Sequence, residues 1–177
     1  MTTKTSQNWS ASAPLFCAML CGMPTPLSAQ PLKDGAFLCI TEKSTGFYYD
    51  ERLKRWQETN FKTDQFVLRL RYVGKKENSP DTNYTLYHYE VIITPVGTSQ
   101  KRSCYPTAEM SHDLSVDAPT IGIADGLYFE CHATSFIYKF NLRSHRFLSA
   151  YLEGYVHGRD DNNDNPMISV GTCTQIE

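Results

Sequence analysis

The chain has 177 residues, 41% of them apolar and 20% charged, with a formal charge of −2. That length suits one domain, and that composition supports a packed core and excludes wholesale disorder. The near-neutral charge gives no general attraction to nucleic acid or to an anionic membrane.

Residues 1–29 carry one base, Lys4, and no acid, so removing them shifts the formal charge only from −2 to −3. Ala13–Met23 is an apolar run of the length found in a signal-peptide core, interrupted by Pro14. Pro24-Thr25-Pro26 breaks a helix there, and Leu27-Ser28-Ala29 supplies a small residue before Gln30. The run falls short of the roughly 20 apolar residues a bilayer span needs. These features predict a signal peptide over 1–29, a single domain over 30–177, and a mature chain that is periplasmic or secreted, with no membrane span.

Beyond that leader four cysteines remain: Cys39, Cys104, Cys131 and Cys173. An even number in an exported chain predicts disulfides, because oxidising compartments form and keep them. No pair has the Cys-x-x-Cys spacing of a zinc ribbon or redox centre. Four cysteines allow three pairings. The preferred one ties the first strand to the last through Cys39–Cys173 and closes the long intervening loop through Cys104–Cys131.

From residue 36 onward the dominant period is two, which is strand patterning. Ala36–Thr41 is a short apolar run. Phe47-Tyr48-Tyr49 and Trp56 flank a turn at Asp50–Arg55. In Gln65–Tyr72, the residues Phe66, Leu68, Leu70 and Tyr72 share one face and Arg69 and Arg71 the other. Gly74–Asn83 reads as a polar connection. Tyr84–Thr94 is a second long strand with Tyr87, Tyr89 and Val91 on one face, ended by Pro95 and Gly97. Residues 105–126 lose the pattern and read as the longest loop, with one helix turn near 108–112. Leu127–Cys131, Phe136–Phe140 and Arg146–Tyr155 follow as strands, then a polar loop over His157–Pro166, then a last strand over Met167–Cys173. No stretch has a 3.6-residue period. The expected fold is all-β, an antiparallel barrel or sandwich of about eight to ten strands with little helix.

Two segments echo one another. Phe47–Trp56 and Tyr138–Phe147 both read aromatic-x-aromatic-(Asp/Asn)-x-Arg-x-basic-Arg-aromatic. Each reads as a β-hairpin whose paired aromatics face the core and whose Asp or Asn starts the turn. Their basic residues, chiefly Arg52, Arg55, Arg143 and Arg146, are candidates for anion or polysaccharide binding at two hairpin tips.

No nucleophile elbow, phosphate-binding glycine loop or His-Glu-x-x-His pattern occurs, and the five histidines are dispersed. Ser111-His112-Asp113 places triad residue types side by side, but such triads assemble in space. Asp160, Asn162 and Asp164 alternate as calcium-loop ligands do, yet the twelfth position is Gly171 where a Glu is needed. That leaves only a weak cation candidate, and no cofactor is predicted. Asn83-Tyr84-Thr85 matches an N-glycosylation pattern.

Tyr138–Cys173 resembles an uncharacterised group of small exported proteins from α-proteobacteria. The resemblance rests on Phe140-Asn141, Arg146-Phe147, Tyr151-Leu152-x-Gly154-Tyr155-Val156, Pro166 and Ile168-x-Val170-Gly171-Thr172-Cys173. Gly46-Phe47-x-Tyr49, Trp56 and Asn60-Phe61 look similar too. It implies export and implies no activity.

Two function classes follow. One is an exported binding or inhibitor module for an envelope or host protein, or for a small ligand, since tyrosine-rich surfaces suit recognition. The other is an envelope hydrolase drawing on Glu90, Glu130, Glu153, His88 and His132 from separate strands.

Overall fold

The computed structural model describes residues 34–78, 85–106, 119–124 and 128–176. The predicted leader, the predicted helix turn at 108–112, Asn83 and the Ser111-His112-Asp113 triplet lie outside the described residues.

The chain folds as one antiparallel sheet: β1 (Gly35–Asp50), β2 (Arg55–Asn60), β3 (Gln65–Asn78), β4 (Thr85–Pro95), β5 (Arg102–Ser103), β6 (Thr120–Ala124), β7 (Tyr128–Ala133), β8 (Phe136–Asn141), β9 (Arg146–Tyr151) and β10 (Met167–Gln175). Neighbours run β10-β9-β8-β7-β6-β4-β3-β1, and β10 pairs back onto β1. The path therefore closes into a barrel, which removes the edges an open sheet would expose. Two strands stand outside the ring: β2, paired to the half of β1 nearest the β1–β2 turn, and the two-residue β5, paired to β4.

Alternation decides what fills it. Phe66, Leu68 and Leu70 of β3, Tyr87, Tyr89, Val91 and Ile93 of β4, and Phe129, Tyr138, Phe140 and Phe147 of β7 to β9 all point inward and are buried. Phe66 packs edge-on against Phe147 with ring centres 5.0 Å apart, and Phe129 stacks on Phe140 at 4.9 Å. Small polar side chains line the upper interior, where Ser169 donates to Ser44 at 2.9 Å, both buried.

Both disulfides take the expected pairing. Cys39 and Cys173 face each other in register and fasten the β1–β10 seam. Cys104–Cys131 reinforces the wall where, among the described residues, β6 and β7 share one register pair, Ala124 with Tyr128. There the chain after β5 fills in: Cys104 N–H donates to Val91 at 2.9 Å and Tyr105 exchanges two backbone hydrogen bonds with His132.

Several sequence expectations need correction. Gly35–Asp50 forms one sixteen-residue strand, not a short run followed by a separate aromatic segment. Strand β3 runs on through Asn78, past Gly74, with an irregularity between Tyr72 and Lys76. The connection over 105–126 contains a strand, Thr120–Ala124, whose alternating Ile121 and Ile123 are too short a signal to stand out among glycines and prolines. Strand β9 stops at Tyr151 and is followed by a 3-10 turn at Tyr155–His157.

Candidate functional site

The most distinctive region is where β1 outruns the barrel. Register between β1 and β10 slips between Thr41 and Lys43, a bulge of one residue. Below it Phe37, Cys39 and Thr41 are buried, and above it Ser44 and Gly46 take the inward phase. A one-residue shift exchanges the two faces of a strand. Phe47 therefore points outward, contrary to the expectation that it faces the core, and Tyr49, on the same face, is buried beneath Trp56 and outside the barrel's core cluster.

Strand β10 begins at Met167, level with Gly46, so the upper half of β1 lacks a strand on that side. The segment after β9 takes its place. Phe47 N–H donates to the Pro166 carbonyl at 3.0 Å. Tyr49 N–H donates to Asn162 Oδ1, and Asn162 Nδ2 donates back to the Tyr49 carbonyl, both at 2.9 Å. A primary amide reproduces a peptide group's donor and acceptor, so Asn162 acts as one residue of strand. Trp56 Nε1–H donates to Asp160 at 3.1 Å, and its ring meets Tyr49 and Tyr155. Tyr151 donates its hydroxyl to Asp164 at 2.7 Å, a bond that pushes the phenol up to about 12.

Two glycines permit this close docking. A Cβ on Gly46 would lie 2.1 Å from the Pro166 oxygen, and one on Gly154 would lie 1.7 Å from the Asp164 oxygen. Gly154 also has φ 78 and ψ −80 and brings Tyr155 N–H to the Glu153 carbonyl, a γ-turn that side-chain-bearing residues avoid.

The weak cation candidate lies in this segment. Asp160 accepts from Trp56, Asn162 is committed to Tyr49, and Asp164 accepts from Tyr151 and faces Arg159 at 3.4 Å. The alternating oxygens thus bind protein donors and hold the segment on the hairpin. Among the described residues no group of three His, Cys, Asp or Glu converges in metal-binding geometry.

The two basic tips are not brought together. Arg146 pairs with Thr172, which pairs with Ile40, so Arg143 and Arg146 sit at the end where β1 begins. Arg52 and Arg55 sit at the opposite end, at the tip of the β1–β2 hairpin. Their turns are alike. Asp50 Oδ1 accepts from the N–H groups of Arg52 and Leu53 at 2.9 Å, and Asn141 Oδ1 from those of Arg143 and Ser144 at 3.0 Å. Lys54 and His145, at matching positions, have φ 51 and 56.

The hydrolase candidates do not lie on five separate strands: His88 and Glu90 share β4, Glu130 and His132 share the outward phase of β7, and Glu153 is in the loop after β9. Glu90 binds Arg71 on the outer face of β4, through Arg71 Nε at 2.9 Å, and raises the guanidinium pKa. Glu130 binds Lys139 at 2.7 Å across β7 and β8, and Glu153 faces His157 at 3.3 Å in the loop. His88 is buried against Thr120, and His132 lies on the outward phase of β7. Tyr138, inside the barrel, is pushed up to about 12 by burial, with Arg102 beside it acting in the opposite direction.

What converges instead is apolar surface. Phe47, Leu152, Pro166, Met167 and Ile168 line an open groove of 210 Å³ with Thr45, Gly46 and Glu58. Phe47 and Leu152 are each 51% exposed. The patch continues along the outer face through Ile168 to Val170, which pairs with the exposed Leu148. No family model, curated protein or solved structure matches the chain. The surface therefore has to be read from its own chemistry.

Sequence reasoning missed this groove. The aromatic pattern alone points Phe47 inward, because the bulge that turns it outward leaves no mark in a run of Thr, Glu, Lys and Ser. Leu152 and Ile168 sit in segments expected to be strand, where alternation alone does not say which face is covered. A usable signal was the pair Gly46 and Gly154, glycines that mark close backbone approach.

Proposed function

We propose that this chain is an exported recognition module that binds a protein partner through the apolar face beside the β1–β2 hairpin. The single observation that carries the reading is an inversion. The barrel interior is occupied by its own aromatic side chains, while large apolar side chains stand outside around the groove. Contiguous exposed apolar surface is characteristic of interaction sites. Two disulfides accord with an oxidising compartment, and no helix among the described residues is long and apolar enough to cross a membrane. Kinship with the exported α-proteobacterial group belongs to the same proposal.

The test is a parallel capture from envelope extract with the mature wild type, with Phe47→Ser/Leu152→Ser and with Arg143→Ser/Arg146→Ser. Both pairs are surface residues, so circular dichroism should be unchanged. A protein retained by wild type and by the arginine variant, but lost by Phe47→Ser/Leu152→Ser, supports the reading. Retention that survives loss of the apolar pair, or that fails with the arginine pair, overturns it. Capture of nothing, with turnover on a panel of hydrolase substrates, replaces it with the enzyme.

A further inference from the structure

We infer that the groove receives one aliphatic side chain of a polypeptide that carries lysine or arginine beside that anchor. This deepens the proposed function and rests on it. At 210 Å³ the groove is smaller than the roughly 300–1,000 Å³ typical of sites that enclose a small molecule, but side-chain anchors at protein interfaces seat in small, well-packed depressions. Its walls come from Phe47, Leu152, Pro166, Met167 and Ile168, which offer an apolar contact and few hydrogen bonds. A glycan, which needs many polar partners, is poorly served there.

Charge supplies the second half. Glu58 is the one ionisable residue lining the groove, is exposed, and makes no ion pair among the described residues. It stands directly across from Phe47 in the β1–β2 register, so a cation bound to it lies next to the apolar floor. The neighbouring segment carries Glu153, Asp160, Asp161 and Asp164 against one arginine, Arg159. Asp160 and Asp164 already accept from Trp56 and Tyr151 and Glu153 faces His157, so the segment adds background negative charge while Glu58 supplies the contact. An apolar depression with one free carboxylate on its wall, beside a segment of net negative charge, favours a basic, apolar segment over an anionic membrane surface.

The experiment uses three acetylated hexapeptides, alternating leucine with lysine, leucine with glutamate, and serine with lysine. Each is titrated into 15N-labelled mature protein at low salt. The leucine–lysine peptide should shift the amides of Phe47, Glu58, Leu152 and Met167, and the other two should not. Glu58→Gln should weaken it about two- to fivefold, as expected for an exposed charge pair, and added salt should do the same. Equal shifts from the leucine–lysine and leucine–glutamate peptides, or no change with Glu58→Gln, overturn the cation requirement. In that case recognition through the groove still stands if capture depends on Phe47 and Leu152. Equal shifts from the serine–lysine peptide overturn the apolar anchor. No groove shifts from any peptide overturn the inference, and the capture experiment then decides separately whether the broader reading survives.

Discussion

The hairpins β1–β2 and β8–β9 share a ten-residue pattern and the same turn, yet their aromatics point to opposite sides of the wall. Tyr138 and Phe140 of β8 face inward and form part of the core. Phe47 and Tyr49 of β1 face outward, Phe47 half exposed and Tyr49 covered by Trp56. The turns match in detail, down to the carboxyl or amide oxygen that accepts two N–H groups and the left-handed residue four positions on. What differs is one residue of bulge below Lys43. Local sequence therefore specifies a hairpin, and the register of the long strand beneath it decides which face that hairpin presents.

The largest expected effect lies at the seam that sets this register. Cys39 and Cys173 are 134 residues apart and Cys104 and Cys131 are 27 apart. Chain entropy alone assigns the first bridge about 5 kcal/mol and the second about 3.5 kcal/mol. Denaturant unfolding of the two double-alanine variants should show the greater loss for Cys39→Ala/Cys173→Ala. A greater loss for the other pair would mean that the β6–β7 wall, and not the β1–β10 seam, limits stability.

A smaller loss, confined to one hairpin, is expected at Gly154. Its γ-turn geometry and its approach to the Asp164 backbone leave no space for a Cβ, so Gly154→Ala should cost about 3 kcal/mol, or release the 152–166 segment instead. Limited proteolysis should then cut within that segment while the β8–β9 hairpin stays resistant. Cleavage spread evenly over both hairpins would deny that the segment braces only β1–β2.

The smallest effect should be the same in both hairpins. Lys54 and His145 hold positive φ, where glycine is unstrained. Lys54→Gly and His145→Gly should each stabilise by about 0.5 kcal/mol in thermal unfolding, net of glycine's own entropy cost. Effects of opposite sign would break the equivalence of the two turns.

The core was legible because its strands obey a strict period. Phe66, Leu68 and Leu70, and Tyr87, Tyr89 and Val91, fall inward, and of the three cysteine pairings the sequence leaves open, the preferred one is formed. Strand β6 was hidden because two inward residues, Ile121 and Ile123, are too few to establish a period. The groove was hidden for a different reason. It depends on the bulge and on Asn162 standing in for a strand residue, and both are tertiary choices that leave only polar residues in the sequence. The basic tips were read correctly as turns, but topology sends them to opposite ends.

Native-state amide hydrogen exchange, read at single residues in the oxidised protein, tests most directly whether the outward hairpin is a preformed surface. Phe47 and Tyr49, bonded to Pro166 and Asn162, should exchange as slowly as the barrel amide of Cys173, which is bonded to the His145 carbonyl at 2.8 Å. Exchange at Phe47 and Tyr49 as fast as at the exposed turn residue Lys54 would contradict it, because the groove would then be open and unformed most of the time.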